Sequence, residues 1–155
     1  MTQSTSTSVA IALGTLFDYC VPSVSDGFLK LAYDPEELIP LTEAEKRNYL
    51  EVVIPQAEYF RIRSVTPPAV IEIDPPQYRV MTSGDPHEAR TLFLHMLEDR
   101  GWVIFETRDH PNDTQTIGAW IDIVDGQKLV IGFTVHLGDP QSGFFASTYR
   151  VARRN

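Results

Sequence analysis

Two runs of alternating apolar and polar residues, Thr116–Val124 and Lys128–His136, constrain the fold of this chain more than any other feature. They flank Asp125-Gly126-Gln127, and a period of two around such turn residues predicts a β-hairpin. A two-residue loop would set Asp122 level with Leu129, among apolar side chains. A three-residue loop pairs Val124 with Lys128 and gathers a wholly apolar face from Ile117, Ala119, Ile121, Ile123, Leu129, Ile131, Phe133 and Val135. Because a one-residue slip exchanges the two faces, burial favours the three-residue loop.

The other face of this hairpin is mixed in character, and we expect a ligand or partner to bind there. It carries Trp120, Asp122, Thr134 and His136. These side chains offer stacking, proton transfer and hydrogen bonding. The predicted register also places Trp120 over Gly132, so that an aromatic ring covers bare backbone. The alternative is a half-solvated sheet face without a function.

The clearest helix runs from Pro86 to Arg100. Asp85 is its predicted N-cap, Pro86 suits the first turn, and Gly101 ends it. Its apolar residues recur at helical spacing and form one stripe, Ala89, Leu92, Phe93, Met96 and Leu97. We expect this helix to cover the apolar face of the hairpin, burying Leu92, Phe93 and Met96.

Weaker signals complete the secondary structure. Further helices are predicted over Val9–Cys20 and, capped by Thr42, over Glu43–Val53. Two short runs, Ala69–Ile73 and Gln77–Thr82, have prolines at their ends. We interpret them as edge strands with Glu72 and Asp74 exposed. The remaining predicted strands are Phe28–Tyr33, Trp102–Arg108 and Phe144–Val151.

These elements predict an α+β fold: an antiparallel four- to five-stranded meander sheet packed against a helix, with one or two further N-terminal helices. The chain has 155 residues, of which 43% are hydrophobic. That length suits one domain, predicted over residues 9–155 after a disordered Thr/Ser-rich lead, residues 1–8. The lone cysteine, Cys20, has apolar neighbours and is predicted to be a buried structural thiol. No signal peptide or membrane span is predicted, and a cytoplasmic location is expected.

The formal net charge is −8, and acidic residues are concentrated in two segments. Residues 34–58 contain seven acids and two bases, and this segment supplies a predicted acidic partner surface at Glu36, Glu37, Glu43 and Glu51. Negative charge repels a phosphate backbone, so no direct nucleic-acid binding is expected. The partner we expect is another protein, one that is basic in character or that itself binds nucleic acid. A homodimer through the C-terminal strand, which carries aromatic residues on both sides, is an alternative.

The sequence contains no recognisable motif for metal binding, phosphate binding or nucleophilic catalysis. No histidine pair has the spacing of two metal ligands on one helix, and Asp85, His87, His110 and Asp113 could meet only through the tertiary fold. No phosphate-binding glycine loop or nucleophile elbow is present. We therefore predict no catalytic residues, no metal and no cofactor.

One family resemblance involves the segment from Leu92 to Ile131. Its helix, the Gly101-Trp102 strand start and the hairpin carrying Asp122 resemble the core of the PD-(D/E)xK nuclease superfamily. The resemblance implies that Asp122 matches the family's metal-binding aspartate. The family's glutamate and lysine positions fall at Gly132 and Thr134, so neither metal binding nor catalysis carries over. An inactive nuclease-like domain is one functional alternative.

Taken together, the sequence favours a small, acidic, non-enzymatic binding protein: an adaptor, a chaperone-like factor or an inhibitor of an accessory or phage type. An enzyme or small-ligand-binding domain, with its site on the mixed face around Trp120, is the second hypothesis. A concave surface at Trp120 would favour the second hypothesis.

Overall fold

Eight strands form a single antiparallel sheet in the computed structural model, which describes residues 3–25, 35–50, 52–63, 65–74, 77–123, 127–139 and 143–152. The strands are β1 Leu38–Pro40, β2 Glu58–Ile62, β3 Ala69–Asp74, β4 Gln77–Thr82, β5 Val103–His110, β6 Thr114–Ile123, β7 Gln127–His136 and β8 Phe144–Ala152. Their order is β1-β2-β3-β4-β8-β7-β6-β5, so β1 and β5 are the two edges.

The helices of the described residues are α1 Gln3–Thr15, α2 Val21–Ser25, α3 Glu43–Tyr49 and α4 Pro86–Asp99, and a π-helical segment Leu16–Cys20 joins α1 to α2. α1 begins at Gln3, so its first turns lie in the segment predicted as a disordered lead. Ser8 is buried there, and its hydroxyl donates a hydrogen bond of 2.7 Å to the Pro67 carbonyl. α3 ends at Tyr49, before the predicted Val53. The predicted strand Phe28–Tyr33 lies outside the described residues.

The capping signals of α4 are confirmed. The Asp85 carboxylate accepts hydrogen bonds from the backbone N–H groups of His87 (2.9 Å) and Glu88 (3.4 Å). Gly101 has φ +74°, the left-handed conformation that glycine adopts most readily after a helix. The apolar stripe of α4 faces the sheet, with Ala89, Phe93 and Leu97 buried and with Leu92 and Met96 partly buried.

The core lies between the sheet and the layer formed by α1, α2 and α4. Phe133 of β7 is fully buried, and its ring stacks on Phe93 of α4 with centroids 4.2 Å apart. Phe144 of β8 lies on the same cluster, 5.2 Å from Phe133. Cys20 is also buried in this core, as predicted. The predicted packing of the capped helix on the apolar sheet face is therefore confirmed.

The structure confirms which residues of the β6–β7 hairpin share each face of the sheet, but it corrects which residues pair across the two strands. Ile123 pairs with Gln127 and Asp122 with Lys128, so residues 124–126 form the three-residue connection, outside the described residues. The predicted pair of Val124 with Lys128 is wrong by two positions, a shift that leaves both faces unchanged. Trp120 consequently lies opposite Val130 rather than over Gly132.

An aromatic ring does cover bare backbone, but on a different residue. A Cβ at Gly118 would lie 2.7 Å from the Phe105 ring, which occupies that space. Phe105 sits at a register irregularity between Ile104 and Glu106, where two residues of β5 oppose one residue of β6. The bulge is what lets the Phe105 ring turn over Gly118.

The sheet has eight strands, so the predicted size of four to five strands is wrong, although the α+β class and the antiparallel pairing hold. β5 to β8 form the predicted meander. β3 and β4 were predicted as edge strands, but they lie inside the sheet because β2 pairs with β3 and β8 pairs with β4. β1 and β2 were not predicted, since β1 has three residues and β2 is interrupted by the charged Arg61.

Candidate functional site

The sheet face opposite the helical core is only partly covered. α3 and the chain after it pack over one end, where Leu41, Tyr59 and Val70 form a small second core. The Thr42 capping box starts α3, and Glu45 also contacts the Arg61 side chain of β2 at 3.0 Å. The rest of this face, across β8, β7 and β6, has no helix of the described residues upon it. We call it the open face.

A pocket of about 390 Å³ lies where the covered end meets the open face. Its floor is formed by side chains of β3, β4 and β8, and its wall is formed by the chain that follows α3. The lining is largely apolar and includes Tyr49, Leu50, Val52, Val70, Met81 and Phe145, with His136 at one end. This is the small end of the range of roughly 300–1,000 Å³ typical of ligand pockets.

Two charged side chains, Glu72 and Arg79, also line the pocket. They face each other on β3 and β4, in a row of directly opposed residues that runs from Tyr59 to Ser147. Glu72 is 1% exposed, so its predicted exposure at a sheet edge is wrong. The physical reason is that β2 and β4 flank β3 on both sides and α3 covers this end of the sheet.

The Glu72–Arg79 pair is unusual because its atoms attract each other without forming a hydrogen bond. Glu72 Oε2 and Arg79 Nε are 3.7 Å apart, beyond the range of about 2.7–3.2 Å for N–H···O bonds. Both atoms are buried, and neither hydrogen-bonds to any group of the described chain. The outer part of Arg79 lies over the Phe145 ring, 5.7 Å from its centroid. One buried acceptor and one buried donor therefore stand side by side in the pocket.

Tyr59 of β2 lies next to Glu72, on the side away from Arg79. Its hydroxyl oxygen accepts a hydrogen bond of 2.9 Å from the Ile54 backbone N–H. Burial raises the pKa of Tyr59, and the neighbouring Glu72 carboxylate raises it further, while the bond from Ile54 acts in the opposite direction. Tyr59 therefore stays a neutral phenol beside Glu72 at physiological pH.

The four residues predicted as a ligand or partner surface share the predicted face but are not brought together. His136 lines the pocket, and its Nδ1 lies 2.7 Å from Thr114 Oγ1. Thr134 contacts Thr116, hydroxyl to hydroxyl, at 3.2 Å. Trp120 lies about 20 Å from His136 along the strands, at roughly 3.4 Å per residue. One side of its ring is covered by Lys128, with Nζ 3.4 Å from the centroid, and Asp122 stands opposite Lys128.

The predicted acidic surface is interleaved with bases in the fold. Glu36 and Glu37 are exposed in a 3₁₀ turn, where Arg63 donates to the Glu36 carbonyl at 2.9 Å. Glu43 is 3.0 Å from Lys46 in the same helix. Glu51 lies outside the described residues. Basic side chains thus neutralise part of the acidic run.

Histidine and aspartate side chains do gather at the end of the sheet near the start of α4. His87, Asp109, His110 and Asp113 line a second depression of about 360 Å³. His110 Nε2 is held by Thr116 at 2.9 Å. Among the described residues, no three side chains of His, Cys, Asp or Glu are placed to hold one metal ion. The depression consequently has no ligand set for a metal.

The sequence predicted β5 as the strand Trp102–Arg108, but it did not predict the exposed apolar edge that this strand forms. It has only β6 as a neighbour within the described chain, and Val103, Ile104 and Phe105 are 47%, 45% and 55% exposed. A run of three apolar residues in a strand usually indicates burial on both faces. Here that run lies at an edge and faces solvent, a signal that only the strand order could reveal.

No protein-family model, no curated protein and no solved structure matches this chain. In the part of the chain that the structure describes, no helix has the length and apolar character needed to cross a membrane. The features that bear on function are thus the pocket beside the open face and the exposed edge at β5.

Proposed function

We propose that this protein is a non-enzymatic binding module that pairs its edge strand β5 with an extended, basic segment of a partner protein. The observation that carries the proposal is the exposed run Val103–Phe105 on an edge strand of eight residues. Natural proteins usually shield such edges because unpaired backbone groups and apolar side chains invite another strand. β1, the opposite edge, is shielded in this way, with three residues and a terminal Pro40.

The chemistry of an added strand supports this reading. An extended peptide beside β5 would satisfy the outward backbone N–H and C=O groups and bury the apolar side chains of the edge. Main-chain hydrogen bonds supply affinity in this mode, and alternate side chains supply specificity. The bulge at Phe105 interrupts the regular ladder, so the partner strand pairs with the residues on either side of it.

Charge favours a basic partner. The bases nearest the edge are already engaged, Arg100 by Asp18 at 3.3 Å and Arg108 by Glu106 at 3.1 Å. Asp99, just before the strand, and Asp109, near its end, are exposed acids. With a formal net charge of −8, the molecule attracts a basic segment at long range, and this attraction weakens as salt is added. Adaptor, chaperone-like and inhibitor roles all fit such a contact.

Selection of linear peptides by display on immobilised protein tests the proposal. We expect enriched peptides to alternate apolar and basic residues and to protect the amides of β5 from hydrogen exchange. Ile104→Lys places a charge on the edge and should abolish their binding. Val53→Lys is the matched control, because Val53 is 43% exposed but lies away from the edge.

Two outcomes would overturn the proposal. Selected peptides could bind Ile104→Lys as well as the wild type, which would place the contact elsewhere. Light scattering could instead show a wild-type dimer that Ile104→Lys converts to a monomer. In that case a second copy of this chain occupies the edge, and the hetero-partner is excluded. A dimer that Ile104→Lys leaves intact would point to the predicted contact through β8. Only its open face is available for such a contact, because β4 and β7 occupy both of its edges and Phe144 and Ala146 are buried in the helical core.

A further inference from the structure

We propose that the pocket containing Glu72 and Arg79 binds a neutral, amphipathic small molecule, with an amide or hydroxyl group at the charged pair and a short apolar body along the lining. This site is separate from the β5 edge and does not depend on the proposed partner. Its basis is the placement of an unbonded buried acceptor beside an unbonded buried donor in a cavity whose remaining lining is mostly apolar, with Asn48, Thr82, Ser83 and His136 as its other polar residues.

The polar pair defines the group that fits between its atoms. Glu72 Oε2 needs a donor, and Arg79 Nε–H needs an acceptor, at positions 3.7 Å apart. A hydroxyl oxygen meets both requirements, because it donates to one atom and accepts from the other. A primary amide does the same with its N–H and its C=O. Buried polar atoms are nearly always hydrogen-bonded, so such a ligand completes bonds that the described chain leaves open.

The same pair selects against charged ligands. Glu72 and Arg79 neutralise each other, so the pocket carries no net charge at this point. An ammonium group that approaches Glu72 would meet the Arg79 guanidinium, and a carboxylate that approaches Arg79 would meet Glu72. Either ion would lose its hydration and face a like charge, which is unfavourable in a buried site. A neutral head group avoids both penalties.

The rest of the pocket suits an apolar body. Val70 and Met81 form the floor beside the pair, and Leu50 forms the wall. Tyr49, Val52 and Phe145 also line the pocket, although each is exposed enough to reach solvent, with Val52 at 72%. An exposed apolar rim around a buried polar pair is the arrangement of a binding pocket, in which apolar contacts give affinity and few polar groups fix orientation.

Three probes with the same six-carbon body test the selection for a neutral head group: hexanamide, hexanoate and hexylammonium. Binding is followed by NMR of the methionine methyl groups, because Met81 lines the pocket whereas Met96 packs on the helical side of the sheet. We expect hexanamide to shift the Met81 signal saturably, with a dissociation constant on the order of a millimolar for so small a ligand. Met96 should not move.

The order of the three affinities decides the proposal. Hexanamide should bind at least about tenfold more tightly than either ion, since a buried unpaired charge or unmade hydrogen bond weakens binding by that order. No saturable shift of Met81 with any probe would overturn the proposal. Equal affinities for all three probes would also overturn it, because the charged pair would then have no part in recognition. These measurements use the wild-type protein alone.

Two variants test the role of each charge. Glu72→Gln leaves Arg79 unopposed, so hexanoate should gain about tenfold relative to hexanamide. Arg79→Gln leaves Glu72 unopposed, and hexylammonium should gain by a similar factor of about ten. A variant that leaves the ratios of the three affinities at their wild-type values would show that Glu72 and Arg79 only stabilise the sheet. Should either variant fail to fold, the wild-type order still tests the site.

Discussion

Three glycine-to-alanine substitutions should change stability by different amounts, two lowering it and one raising it, because the backbone conformation and the surroundings of the three glycines differ. Gly143, before β8, has φ +67°, and its N–H donates a hydrogen bond of 3.0 Å to the Gly84 carbonyl. A Cβ there would overlap the Thr82 carbonyl oxygen and lie 2.7 Å from Ser83 Cα. Both are backbone atoms, so neither can rotate away as a side chain would. Gly143→Ala must therefore displace the junction between β4 and β8.

The magnitude follows from two contributions. A left-handed conformation costs an alanine about 1–2 kcal/mol, and forcing extra atoms into packed structure costs about 1–3 kcal/mol. We expect Gly143→Ala to lower the free energy of unfolding by about 2–5 kcal/mol. Gly101 has φ +74° but no atom within 4 Å of a Cβ, so Gly101→Ala should lower it by only about 1 kcal/mol.

Gly14 provides the matched control. It lies in α1, and a Cβ there would meet no atom within 4 Å. Gly14→Ala should raise the free energy of unfolding by roughly 0.5–1 kcal/mol, because alanine favours the helix interior. Urea unfolding followed by far-ultraviolet circular dichroism measures all three variants. A Gly143→Ala protein as stable as wild type, or a Gly101→Ala protein as unstable as Gly143→Ala, would refute the reasoning.

Three further predictions concern single side chains. Phe133→Ala removes the ring that stacks on Phe93 and should lower the free energy of unfolding by about 3–5 kcal/mol in urea; a change below about 1 kcal/mol would contradict the packing. The Thr42 backbone N–H and Arg61 hold the pKa of Glu45 below its ordinary value. The ionised Glu45 side chain therefore stabilises the folded protein fully at a pH above that ordinary pKa, and this contribution disappears as the pH falls through the lowered pKa. The difference in urea midpoint between wild type and Glu45→Gln should therefore narrow between neutral pH and about pH 3. Burial raises the pKa of Cys20, so a thiol reagent should modify it only at the rate of unfolding, and rapid labelling of the native protein would contradict its burial.

The elements that could be predicted are those with a local signal. Asp85 caps the start of α4, and Gly101 follows its end in the left-handed conformation. Thr42 and Glu45 form the capping box of α3. Alternation gave the correct faces of the β6–β7 hairpin but not its pairing. The reason is physical: burial distinguishes odd from even registers, whereas a two-residue shift changes neither face.

Features that depend on long-range pairing could not be predicted in this way. β4 pairs with β8, so residues near Val80 and Ala146 become neighbours across a long stretch of sequence. That pairing moves β4 inside the sheet and makes β5 an edge. The pairing of β2 with β3 likewise decides the candidate pocket, because Glu72 is buried only once β3 has neighbours on both sides. His136 was predicted on the open face, but nothing near it in sequence indicated the pocket that it lines.

The two proposed sites should act independently, and their separation in the sheet gives the reason. Arg79 lies on β4 and Phe105 on β5, with β8, β7 and β6 between them. At roughly 4.8 Å per strand, four steps put Arg79 about 19 Å from the edge strand. Substitutions this far apart usually have additive effects. Ile104→Lys should abolish peptide binding without changing the response of Met81 to hexanamide. Glu72→Gln should raise the affinity for hexanoate relative to hexanamide without changing peptide binding. Loss of both activities in either variant would mean that one site, or one unfolding event, accounts for both.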